Sequence, residues 1–231
     1  MAQIDPPLLP PRLYRYRKVP DIELAERELR AISDQYLWFS PYRTLNDPME
    51  GIYGASEWLT QQPEYRELVR EIRNQKRSVG ICCFSDTYDN ELMWAHYSAN
   101  YGGICVGYST KRLLSGLGDG VHIARVAYNN QPPRIGRDEG GCPQQASIRI
   151  LSHKKTCWLY EREWRLLAGP EVVQVPGPLT LGVKDAVKCV YIGSRVSEDV
   201  KHKLVLELTR MNISIRIMKV SGYDHAWTEI D

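Results

Sequence analysis

TCWLYEREWRLLAG, residues 156–169, is the longest strand signal in the chain: aromatic and branched side chains alternate with charged ones along it. At a period of two, Trp158, Tyr160, Arg162, Trp164 and Leu166 share one face, while Leu159, Glu161, Glu163, Arg165 and Leu167 share the other. One side is mostly aromatic, and the other carries two carboxylates and a guanidinium. Burying such a polar face is costly unless its charges are paired or used. Two readings follow. Either this is a solvent-facing edge with Arg165 bridged to a neighbouring acid, or it is one wall of a functional cleft.

Working outward, further strand patterns occur at RLYRYRKV (12–19), YLWFSPY (36–42), SVGICCFS (78–85), GICVGYS (103–109), VHIARVAYN (121–129), a short run near 178–183, AVKCVYIG (186–193) and ISIRIMKV (213–220). Asp21 caps an expected helix to about Gln35, with Leu24, Leu29 and Ile32 on one stripe. Further helices are expected at 55–75, 88–99 and 197–211. The charges of 55–75 (Glu64, Arg66, Glu67, Arg70, Glu71, Arg73) read as a solvated face. Strands outnumber helices without a regular βαβ rhythm, which predicts an α+β fold with a mixed or largely antiparallel sheet. The expected organisation is a proline-rich lead at 1–11, a single domain over 12–225, and a mobile Gly/Pro-rich loop at 129–145.

The 231 residues include 30 Lys+Arg and 28 Asp+Glu, so the net charge of +2 argues against a protein that coats DNA generally. The hydrophobic share of 43% speaks against disorder. The chain holds 14 Tyr and 6 Trp against 2 Phe, and rings with a polar handle suit cleft walls. No run approaches the roughly 20 apolar residues of a membrane span. With no signal-peptide pattern at the start, a cytoplasmic protein without a membrane partner is expected. Six cysteines without a CxxC read as structural free thiols.

Three other constellations stand out. Arg15 and Arg17 share a strand face, and arginine forks suit phosphate oxygens. Their plain alternative is a pair of exposed strand arginines. Trp94, His96 and Tyr97 precede two glycines that permit close approach of a flat ligand, the alternative being packed core residues. Asn46-Asp47-Pro48 reads as a structured loop, either a capped turn or part of a site. The phosphate loop, dinucleotide, zinc-protease and nucleophile-elbow patterns are missing, and no histidine–cysteine set has zinc spacing, so no metal is expected.

LYRYR, LWFSPYRTLNDPMEG, CCFSDTYDNELMWAHYSANYGGICVGY and WLYEREWRL together resemble a bacterial family known as domain of unknown function 2971, in order from about residue 12 to residue 220. That family is often found near abortive-infection and phage-defence genes. More loosely, the order of a basic first strand, helix, strand, loop, aromatic middle motif and Glu-bearing strand looks like the ADP-ribosyltransferase fold. That resemblance implies two small mixed or antiparallel sheets around an NAD-type cleft, with flanking helices. It places Arg15, with Tyr14 before it, at the first-strand position that holds the nicotinamide-side phosphate or ribose. Tyr97, or His96, takes the middle position, and Trp94 helps to wall in the nicotinamide. Asn46 and Asp47 are taken as cofactor-binding loop residues. Glu161-Arg162-Glu163 resembles the E-x-E pair, with Glu163 as the catalytic carboxylate and Glu161 beside it. Ser109-Thr110 matches only part of the expected Ser-Thr-Ser.

The function implied is an NAD-consuming ADP-ribosyltransferase, a pentosyltransferase whose acceptor is a macromolecule, nucleic acid or protein, or a small molecule. A toxin or phage-defence role would add an antitoxin as partner. The alternatives are an NAD glycohydrolase on the same fold and a non-catalytic nucleotide- or nucleic-acid-binding module. NAD enters as co-substrate.

Overall fold

A computed structural model describes residues 8–136 and 142–230. In chain order the elements are β1 (Arg12–Lys18), α1 (Ile22–Ser33), β2 (Tyr36–Pro41), β3 (Gly54–Ala55), α2 (Glu57–Thr60), α3 (Tyr65–Ser78), β4 (Gly80–Ser85), α4 (Glu91–Tyr97), β5 (Gly103–Ser109), α5 (Thr110–Ser115) and β6 (Val121–Arg125). They continue with β7 (Ala127–Tyr128), β8 (Arg134–Ile135), α6 (Pro143–Ile150), β9 (His153–Lys154), β10 (Glu163–Ala168), β11 (Gly177–Thr180), β12 (Val187–Ile192), α7 (Glu198–Arg210), β13 (Ser214–Ser221) and β14 (Asp224–Ile230). Short 3-10 turns cover Tyr42–Thr44 and Thr156–Glu161. The fold is α+β. The chain divides into two compact units, one made of residues 1–37, 84–118 and 180–231, the other of 38–83 and 119–179.

In the first unit, β5 runs antiparallel to β1 from Arg12↔Ser109 to Lys18↔Gly103, and antiparallel to β12 on its other side. β12 pairs in parallel with β13 after the α7 crossover, and β14 returns antiparallel to β13. β14 lies beyond the last expected strand. The approach to β5 demands glycine at position 103, where a Cβ would sit 2.2 Å from the Arg17 carbonyl oxygen. Asp21 caps α1, its carboxylate accepting from the Leu24 N–H at 2.8 Å. The buried stripe of α1 is Ala25, Leu29 and Ile32, joined by Glu28, which accepts two bonds from Arg17 at 2.6 and 2.8 Å. Arg17 is thereby committed to holding α1 against β1.

In the second unit, β2 and β4 pair at Ser40↔Ile81 and Pro41↔Gly80. β10 pairs with β4 and also with β6, the latter from Trp164↔Arg125 to Ala168↔Val121. The helix expected over 55–75 is two helices. Pro63 stands between α2 and α3, where it can neither donate a helical bond nor admit the preceding turn. Leu68 and Ile72 of α3 pack with Leu59, Ile135, Ala146 and Ile150. Part of the expected loop is also helical, since Pro143 opens α6 from its first turn. Residues 137–141 of that loop and residues 1–7 of the lead lie outside the described residues.

The largest departure concerns 156–169. Thr156–Glu161 is a 3-10 turn, Arg162 takes a left-handed conformation (φ 47, ψ 49), and only Glu163–Ala168 is strand. Every residue of that strand is buried, so the solvent-facing-edge reading fails.

Lys76 pins α3 to the loop after Glu50. Its ammonium donates to the Gly51 carbonyl at 2.6 Å, with the Tyr53 ring centroid 4.7 Å away. Burial, then Arg73 and Arg43, push its pKa down to about 8 from 10.5. The unfolded chain therefore holds more protons than the folded one between those values, and stability rises with pH across that window. Urea denaturation should show this rise, and Lys76→Met should abolish it.

Candidate functional site, a buried charge cluster

β10 carries Glu163 and Arg165 on one face, two residues apart. Arg165 is fully buried, and all five of its N–H donors are used. Two go to Glu50 at 2.9 and 2.6 Å, two to Glu163 at 2.8 and 3.0 Å, and one to the Leu151 carbonyl at 2.6 Å. Lys154, on β9, donates to Glu161 and approaches Glu163 at 2.9 Å and Glu50 at 3.7 Å. Three buried carboxylates thus gather on Lys154 and Arg165.

Local structure sets each member. Asp47 accepts from the Met49 N–H at 2.9 Å, closing a tight turn that delivers Glu50. The left-handed Arg162 reverses the chain, so that Glu161 and Glu163, which strand alternation alone would have set on one face, meet the same lysine from a turn and a strand. Tyr128 braces the junction by accepting from the Glu163 N–H at 2.8 Å.

The electrostatics follow from this packing. Burial alone would raise the Glu163 pKa, but Arg165 and Lys154 outweigh it and hold the carboxyl well below the usual range. Burial works against the Arg165 charge, yet Glu163 and Glu50 hold its pKa above the ordinary value. Burial pushes the Cys83 thiol up, and the Glu163 carboxylate adds to the shift. Tyr160 is pushed up to about 12 by burial and then by Glu161. Beside the cluster lies a hollow of about 110 Å³, lined by Lys154 and Asp47 together with His153, Asn129, Asn130 and Gln131.

Of the residues singled out from sequence, Glu161, Glu163 and Asp47 therefore belong to this neighbourhood, while Asn46 is exposed on the same loop. Glu50, Lys154 and Cys83 were missed as site members. A buried Arg165 demands more acid than Glu163 supplies, which is the signal for Glu50; Lys154 and Cys83 left none in the sequence.

The remaining expected residues lie in the first unit. Arg15 is half-buried on β1, opposite Val106. Tyr14 packs with Tyr88 and Tyr191 at centroid distances of 5.4 and 6.1 Å. Trp94 is fully buried, its indole N–H donating to the Tyr88 carbonyl at 2.8 Å, so it is a core ring here. His96 is exposed and Tyr97 half-buried near the end of α4. That unit has its own hollow, about 520 Å³, lined by Glu91, Tyr101, Arg195 and His225 among others. Asp89 accepts from Trp227 Nε1 at 3.1 Å and lies 2.7 Å from His225 Nε2. Ala99, Asn100 and Tyr101 form a left-handed run at the rim (φ 53, 55 and 69).

Over residues 93–166 the chain matches the sequence model of a family described as "Protein of unknown function (DUF2971)". The match supports the family resemblance drawn from the motifs, over the segment that runs from α4 to β10. No curated protein and no solved structure shows significant similarity to the chain.

Proposed function

We propose that the chain is an NAD-consuming, ADP-ribosyltransferase-like enzyme whose acidic centre is the Glu161–Glu163 pair. One observation carries the reading: Glu50, Glu161 and Glu163 gather around Lys154 and Arg165 in a buried cluster beside the hollow that Lys154 and Asp47 line. Cleavage of the nicotinamide–ribose bond sends its electron pair to the pyridine nitrogen and leaves positive charge on the ribose, as in glycoside cleavage. A fixed negative field nearby stabilises that charge without having to reorganise. An acceptor lone pair then forms the new bond to the ribose carbon and sheds its proton. In this reading Glu161 takes that proton, while Glu163, paired with Arg165 and Lys154, supplies the fixed charge.

A specific observation favours a second reading. Glu163 is only 4% exposed and is already paired twice, which suits a non-catalytic nucleotide-binding module with a structural polar core. Chromatography of NAD incubated with the protein separates the two. The enzyme releases nicotinamide, and Glu161→Gln or Glu163→Gln slows release roughly 100-fold. Binding without release supports the module, and turnover left intact by Glu163→Gln ends the mechanism. Free ADP-ribose formed without an acceptor identifies a glycohydrolase.

A further inference from the structure

α3 sorts its charges by face. At 100° per residue, Arg66, Arg70, Arg73 and Arg77 fall at i, i+4, i+7 and i+11, a single stripe with no acid within it. All four are exposed, and the stripe runs about 16 Å along the helix at 1.5 Å per residue. Leu68 and Ile72 point the other way, into the packing of the second unit. Among the described residues only Arg70 of the four has an acidic partner, Glu67 on the preceding turn, and an exposed pair of that kind is worth little. Among the described residues Arg66, Arg73 and Arg77 form no ion pair. Like charges at helical spacing repel one another, so the stripe is a cost to the isolated helix.

From this stripe we infer that the exposed face of α3 is a docking surface for the phosphate backbone of a nucleic acid. A linear polyanion places a negative charge every few ångströms along its axis, and guanidinium forks pair with phosphate oxygens. A membrane surface fits less well. Basic helices that lie on lipid carry a rim of apolar side chains that insert, whereas Asn74 and Glu67 flank this stripe on one side, Val69 on the other is half-buried, and Leu68 and Ile72 are buried. The low overall charge does not oppose the inference, because the field is local.

The test is fluorescence anisotropy of the full chain with a labelled single-stranded oligonucleotide longer than the stripe, across salt from about 50 to about 200 mM. Wild type binds with a steep salt dependence. The triple variant Arg66→Gln/Arg73→Gln/Arg77→Gln, whose sites are all exposed, loses about 2 from the magnitude of the slope of log K against log salt, about 0.7 per arginine. Circular dichroism checks that the variant remains folded. An unchanged slope in the folded variant, or no binding by wild type at the lowest salt, overturns the inference. Capture by anionic vesicles but not by oligonucleotides overturns it in favour of a lipid surface.

Discussion

Arg165→Met should destabilise the protein by about 3–5 kcal/mol, a large share of the roughly 5–15 kcal/mol that keeps an ordinary domain folded. The cause is what the guanidinium leaves behind. Glu50 and Glu163 lose two charge-assisted bonds each, and the Leu151 carbonyl loses its donor. One positive charge leaves the midst of three buried carboxylates, where water screens charge poorly. Lysine at 165 cannot restore it, because an ammonium has three donors without the planar fork that serves both carboxylates. Charge counting adds a sharper expectation: Arg165→Met combined with Glu50→Leu removes one charge of each sign and leaves the net charge of the cluster as it was. The double variant should therefore be more stable than Arg165→Met alone. Urea denaturation of the single and double variants measures this, and additive losses would show that Glu50 and Arg165 do not act as a pair.

Such a cluster was only half legible in the sequence. The alternation in 156–169 marked Glu163 and Arg165 as neighbours on one face, and β10 keeps them so. Glu161 was placed with them for the wrong reason. Trp158 and Tyr160 favour a strand on composition, yet the chain makes a 3-10 turn and reverses at Arg162, a residue type with no preference for positive φ. Tertiary packing won over local propensity there. Glu50 comes from NDPMEG, a stretch rich in turn formers, and Lys154 from SHKK just ahead of the run read as strand; only the long-range pairing with Arg165 for the one, and with Glu161 and Glu163 for the other, gives them meaning.

Elements whose signal is local were easier. Asp21 fixed the start of α1, and the apolar run GICVGYS became β5 with matching ends. The family match over 93–166 begins in α4 and ends in β10, so the motif-bearing stretch contributes residues to both units. β14 was overlooked although His225, Trp227 and Glu229 alternate with Ala226 and Thr228, a strand pattern cut short by the Gly222 turn. Charge sorting on α3 was also missed. A run that mixes Glu and Arg reads as a wet surface until the 3.6-residue period separates the signs.

Acid should unfold the protein through Glu163. Its carboxyl is held below the ordinary value of 4.5 in the folded chain, against the opposing effect of burial. Below that value the unfolded chain takes up a proton that the folded chain refuses. The stabilisation is thus complete above about pH 4.5 and drains away as pH falls toward the folded-state value. Glu163→Gln should flatten this slope and cost roughly 1.5–3 kcal/mol at neutral pH, because an amide cannot accept from both Arg165 and Lys154 as a carboxylate does. Glu161→Gln makes the instructive contrast. It removes one negative charge while Lys154 keeps Glu163 and Arg165 keeps both its acids, so it should cost less and leave the acid slope in place. Denaturation curves for the three proteins between about pH 3 and about pH 7 separate these outcomes. Equal costs, or an acid slope that survives Glu163→Gln, would mean that the charge balance is set elsewhere.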